Sequence, residues 1–172
     1  KLALLALDNA KMIEDLGYDN LVLAVKTSDI KETVDAYRTL DKLCDYPLHI
    51  GLTEAGTKST GIIKSSVAIG SLLLDNIWDT IRVSLATNPI EEVKAAIKIL
   101  RACGKDKNFV DIIACPTCAR TCIEVEEIAT KLEEMTINIH KKLKIAVMGC
   151  IVNGIGESKG AKFGVAGGKV MS

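Results

Sequence analysis

Two stretches of the 172-residue chain carry thiols at spacings that could hold a metal. The first, "ACPTCAR", puts Cys115 and Cys118 one turn apart with Pro116 restricting the loop, enough for one metal ion or two corners of an iron–sulfur cluster. The second, "VMGCIVNGIGE", delivers Cys150 at the end of an apolar run, 32 residues after Cys118, and closes on Glu157. Its glycines at 149, 154 and 156 let backbone approach closely and turn N–H groups toward the sulfurs, which suits a negatively charged cluster. The fourth ligand has two candidates. Cys122 would complete CxxCxxxC with sulfur, the usual ligand of iron, and Glu157 would bring an oxygen. Because CxxC also serves thioredoxin-type redox pairs and zinc knuckles, the competing reading is a non-catalytic zinc staple of Cys115, Cys118, Cys122 and Cys150. Cys44 and Cys103 fall at helix ends and read as small buried residues.

A second group of chemistry-bearing residues keeps a regular beat. Lys26, Glu54 and Arg82 close or lie within three apolar runs, each 28 residues after the last. Arg82 and Ser84 are two apart on a strand and share a face. Parallel α/β folds bind ligands at the carboxyl ends of their strands, so a Lys, a carboxylate and an Arg gathered there form an anion site with an acid or base in it. The bland alternative is that the three charges only pair with one another at the rim of a sheet.

The elements that must position these residues are legible as alternating patterns. Short Val/Ile/Leu-rich runs at 20–25, 47–53, 80–85 and 110–114 read as buried strands. Between them lie helices: one begins at a Ser28/Asp29 cap, another at Asn88 with Pro89 and Glu91 in its first turn. Strand, helix, strand, helix implies parallel strands with right-handed crossovers. After a link at 104–108, "IEVEEIATKLEEM" reads as an amphipathic helix, "KLKIAVMGC" as a strand entering a glycine turn, and "AKFGVAGGKV" as a further strand. The expected division is residues 1–107 and a small α/β unit at 108–172. The opening "KLALLAL" lacks a cleavage-type ending and runs into an amphipathic pattern, so it reads as mid-helix. The uncapped start and absent Met suggest a piece of a longer protein.

Bulk properties narrow the class. The chain is 48% apolar, ample for a core, and carries 22 basic and 22 acidic residues with only 3% aromatics. No basic cluster with interleaved aromatics points to nucleic acid, and no run reaches the roughly 18 to 20 apolar residues of a bilayer helix, so no membrane partner is expected. Six cysteines without a signal peptide suggest a reducing compartment.

"ACPTCAR", "GCIVNGIGE", "LHIGLTEAG" and "DTIRVSL", in this order and spacing, resemble the 4-hydroxy-3-methylbut-2-enyl diphosphate synthase (IspG/GcpE) family over essentially the whole chain. The resemblance implies an α/β fold made of the last three βα units of a TIM-type (β/α)8 barrel. A small α/β domain for a 4Fe-4S cluster follows, truncated at its C-terminus. It implies cluster ligands Cys115, Cys118, Cys150 and Glu157, which demotes Cys122. Lys26, Thr53, Arg82, Ser84 and Asn153 match substrate-binding positions, and Glu54 matches the acid beside the reacting carbons. The implied reaction is reductive dehydroxylation of 2-C-methyl-D-erythritol 2,4-cyclodiphosphate in the methylerythritol phosphate isoprenoid pathway. The electron donor would be ferredoxin or flavodoxin. Family members work as homodimers in which one subunit's cluster domain caps the partner's barrel, in bacterial cytoplasm or in plastids. The chain departs from the family in Ile155, where Pro is usual, and in Ala24, where Ser is common. With three strands of eight the sheet has open edges, so turnover by these residues alone is expected to be negligible.

Overall fold

A computed structural model describes residues 1–156, 158 and 160–168, without the side chains of Asn153 and Ile155. The chain forms two compact units, Lys1–Asp106 and Lys107–Ser172.

The first unit holds four helices, α1 (Leu2–Glu14), α2 (Ile30–Leu43), α3 (Lys58–Leu74) and α4 (Pro89–Ala102), and two short strands, β1 (His49–Gly51) and β2 (Thr80–Arg82). Two of the four helix starts, those of α2 and α4, are made by side-chain caps. Asp29 accepts a 2.7 Å hydrogen bond from the Glu32 amide at the head of α2, and Asn88 accepts from the Ile90 amide at the head of α4, where Pro89 has no N–H to lose. β1 and β2 pair in parallel, His49 opposite Thr80 and Gly51 opposite Arg82.

The strand expected at 20–25 pairs with β1 only through a bridge between Leu23 and Leu48. Its ladder is interrupted by a side chain. Leu23 donates to the Pro47 carbonyl and accepts from the His49 amide, the ordinary parallel pattern. The next rung should join the Val25 amide to the His49 carbonyl. Instead Val25 donates to the Tyr37 hydroxyl (3.1 Å), and that hydroxyl donates to the His49 carbonyl (2.6 Å). A phenol from α2 is spliced into the sheet, and pairing resumes weakly beyond it, from the Thr53 amide to the Thr27 carbonyl. The strands expected over 47–53 and 80–85 are likewise shorter than their apolar runs.

Side chains alternate across this sheet. Leu23, Val25, Leu48, Ile50, Leu52, Val83 and Leu85 are buried and share a core with Tyr37 and Leu40 of α2 and Ile69, Leu72 and Leu73 of α3. The opposite face carries Lys26, His49, Gly51, Thr53, Thr80, Arg82 and Ser84, mostly polar and, apart from the buried Gly51, at least partly open to solvent.

The second unit is a three-stranded parallel sheet in the order β3 (Val110–Ala114), β4 (Leu143–Met148), β5 (Phe163–Ala166). α5 (Val125–Thr136) connects β3 to β4 and packs on both strands through Val125, Ile128, Ala129 and Leu132. Between β4 and β5 lies a six-residue helix, α6 (Ile151–Gly156), where a glycine turn was expected. The glycines explain why a helix fits there. A Cβ on Gly154 would come within 2.7 Å of Ala166 Cβ, so its bare backbone lets α6 lie close on β5. Among the described residues no helix is long and apolar enough to cross a membrane.

Candidate functional site

In the first unit the polar face of the sheet is arranged in layers. The register places Gly51 beside Arg82, and counting from the Leu23–Leu48 bridge places Lys26 beside Gly51 on the other side. Lys26, Gly51 and Arg82 therefore form one layer across three neighbouring strands, at their carboxyl ends. Thr53 and Ser84 form the layer above it, and His49 and Thr80 the layer below, each about 6–7 Å away along the strands.

The middle position of the cationic layer has no side chain. A Cβ on Gly51 would fall 3.2 Å from Lys26 Cε and 2.7 Å from the Arg82 carbonyl oxygen, so the Lys26 stem leans over Gly51 toward Arg82. Partial burial, and then the positive charge of Arg82, hold the Lys26 ammonium below its usual range. Two cations thus face each other across a bare stretch of backbone. Among the described residues neither makes an ion pair with a carboxylate, Glu54 included, so the rim-pairing alternative does not describe this geometry. Such a pair of uncompensated charges is suited to an anion that accepts from both.

Glu54 follows immediately, exposed, with φ at 53°. A left-handed backbone at a residue other than Gly, Asn or Asp costs roughly 1 kcal/mol or more, and such strain gathers at ligand sites. It turns the chain so that Thr53 is half-buried, Glu54 points out and Ala55 is buried again.

Tyr37 escaped the sequence reading. It is fully buried, and burial pushes its phenol up to about 12, so it stays protonated and able to donate across the physiological range. Removing the hydroxyl strands a buried amide and a part-buried carbonyl beside the Lys26 layer. Tyr37→Phe is expected to cost about 1–3 kcal/mol of stability, read as a lower midpoint in chemical denaturation.

In the second unit the thiols come from two adjacent strand ends. Ala114 pairs with Val147, so Cys115 and the Gly149-Cys150 step leave the sheet side by side. The Gly149 amide donates to Cys115 Sγ at 3.1 Å, and the Cys115 amide donates to the Val147 carbonyl. Cys115 and Cys150 are buried; Cys118 and Cys122 are exposed; all four are free thiols. The Arg120 backbone, then its side chain, hold the Cys118 thiol below its usual range.

Thr121 was also missed. Its hydroxyl accepts from the Cys118 amide at 3.0 Å, and its side chain lies where a Gly149 Cβ would be, 2.8 Å away, so it couples the two thiol loops. Gly149 thus serves this contact, and its carbonyl accepts from the Cys122 amide at 2.8 Å. Cys122 Sγ itself donates to the Arg120 carbonyl. Among the described residues no three Cys, His, Asp or Glu side chains are gathered tightly enough to close a metal site. Glu157 lies outside the described residues, as does the side chain of Asn153. The donor chemistry nonetheless fits a cluster: two buried thiols and a third with lowered pKa, around a turn whose amide already points at sulfur.

Known proteins align with these features. The GcpE TIM-barrel domain family matches residues 1–97, and the GcpE protein C-terminal domain family matches residues 111–172. The chain is 50% identical over 163 residues to a 4-hydroxy-3-methylbut-2-en-1-yl diphosphate synthase (flavodoxin) of Caldanaerobacter subterraneus subsp. tengcongensis, covering 95% of this chain and 46% of that protein. It is 48% identical over 164 residues to the synthase of the same name from Clostridium acetobutylicum, and 50% over 162 residues to that of Thermotoga maritima, covering 47% of each. The chain spans about half the length of the curated relatives it matches.

Proposed function

This chain belongs to the GcpE family, and from that premise we propose that it is the substrate-gripping end of a TIM-type barrel followed by the 4Fe-4S domain of a 4-hydroxy-3-methylbut-2-enyl diphosphate synthase. Residues 1–107 would supply part of the barrel and 108–172 the cluster domain. The observation that carries the reading is the Lys26–Gly51–Arg82 layer, where two cations without carboxylate partners among the described residues flank bare backbone at the carboxyl ends of parallel strands.

The substrate is the cyclic diphosphate of methylerythritol, and its reduction consumes two electrons and two protons, releases water and leaves a linear allylic diphosphate. Arg82 grips the diphosphate through its planar donor fork and Lys26 as a point charge, with Thr53 and Ser84 adding hydroxyl donors from the layer above. Asn153 is a further substrate contact. Glu54, presented on its strained turn, serves as proton donor or relay for the departing oxygen. Cys115, Cys118, Cys150 and Glu157 would hold the cluster, which supplies electrons one at a time when bound. The relatives' name supports flavodoxin as donor, with ferredoxin the alternative; the enzyme is a cytoplasmic homodimer in this reading.

The whole enzyme purified without oxygen is expected to be brown and to convert the cyclic diphosphate. Glu54→Gln should keep iron content and KM while lowering kcat by about 100-fold or more, the range of a lost proton donor. A colourless zinc-loaded protein would support the staple instead.

A further inference from the structure

The floor of the cationic slot is an imidazole that nothing above assigns to the substrate. His49 lies one layer beneath Gly51 on the polar face, partly open to solvent, and what separates it from the cationic layer is Gly51 backbone, buried beneath the Lys26 stem, with no side chain of its own. The ring is held by one edge: Nδ1 and Thr80 Oγ1 are 2.8 Å apart. Its carbonyl is fixed from behind by the Tyr37 hydroxyl, at 2.6 Å. Nε2 has no partner among the described residues. Toward the first strand the register sets Ala24 beside His49, a methyl too small to close off that side. We propose that His49 is a third ligand of the anion gripped by Lys26 and Arg82, donating from Nε2–H into the bottom of the slot over Gly51.

The anchor is compatible with the tautomer this requires: when the Thr80 hydroxyl donates to Nδ1, the ring proton sits on Nε2, the nitrogen that Thr80 does not hold. The charged and titratable groups around it are Lys26 and Arg82 from the flanking strands, the Tyr37 phenol behind the sheet, and Asp79, whose carboxylate is taken by the Leu48 amide at 2.7 Å. Burial, then Lys26 and Arg82, hold the imidazole below its usual range. A diphosphate carries more acceptor oxygens than one Lys and one Arg can satisfy, and a floor donor meets those turned into the sheet.

This inference rests on the diphosphate reading of Lys26 and Arg82, and the test keeps the two separable. In the whole enzyme, with the cyclic diphosphate as probe, His49→Phe is expected to raise KM about tenfold with kcat within about threefold and iron content unchanged. His49→Asn keeps an acceptor near Nδ1 but loses the Nε2 donor, and should show the same loss if the Phe variant folds poorly. His49→Gln places an amide N–H near Nε2 and should return KM to within about threefold of wild type. A wild-type KM in both the Phe and Asn variants overturns the assignment. So does equal impairment in Gln and Asn, which would make the ring a packing element. Arg82→Glu run alongside reports on the anion site itself: normal binding there rejects the underlying reading whatever His49 does.

Discussion

Arg82→Glu in the whole enzyme is expected to raise the KM for the cyclic diphosphate by about 100-fold or more while leaving iron content and visible spectrum unchanged. Two charge-assisted hydrogen bonds from a guanidinium are each worth about 1.5–3 kcal/mol, and every 1.4 kcal/mol is tenfold in affinity. The reversal does further damage through Lys26. In the native layer burial, and then repulsion from Arg82, hold the Lys26 pKa down, a cost that a bound anion relieves. A glutamate at 82 would pair with Lys26 across Gly51 and occupy the slot with a carboxylate of the protein's own. The fold should survive, because Arg82 is exposed, sits at the end of β2 and makes no ion pair among the described residues. Measured KM and iron content separate the outcomes, and a variant that binds substrate normally would reduce Arg82 to a surface charge.

What the sequence revealed of this arrangement was what local rules govern. Caps at Asp29 and Asn88 could be read directly, because the side chain that starts each helix lies within three residues of the amide it satisfies. The 28-residue beat picked out the layer's Lys and Arg but not its middle: the register steps 25 residues from Lys26 to Gly51 and 31 from Gly51 to Arg82, so Glu54 falls three residues beyond the layer. Tyr37 could not be read this way. Its hydroxyl reaches a strand twelve residues away in either direction, and only packing decides that it enters the ladder. For the same reason a run with the composition of a full strand pairs at only one bridge. Gly51 was hidden inside an apolar run, where a glycine signals close backbone approach but not which neighbour approaches. The glycines at 149 and 154 do permit close approach, to Thr121 and Ala166, and the Gly149 amide points at a sulfur as expected, but the segment after Cys150 is a short helix rather than a turn.

The close approaches at Gly149 and Gly154 bear on the cluster ligands, because both glycines have a packing reason that does not involve Glu157. The remaining case rests on the thiols and on family position. Cys115 and Cys150 are buried at neighbouring strand ends, with the Gly149 amide already donating to Cys115 Sγ. Cys122 is different in kind. Its sulfur is exposed and donates to the carbonyl of Arg120 within its own turn, and its tie to the second thiol loop runs through its main-chain amide to Gly149. Alanine preserves that amide. Cys122→Ala in the whole enzyme, purified without oxygen, is therefore expected to keep its full iron and most of its activity. Cys150→Ala should lose the cluster outright, since it removes the only thiol supplied by the end of β4. Glu157→Ala should fall between them, with a labile cluster and little turnover, because three thiolates can retain a cube that has lost its oxygen ligand. Iron content and the visible spectrum of the three variants decide the matter, and an iron-free Cys122→Ala beside an iron-replete Glu157→Ala would transfer the fourth position to sulfur.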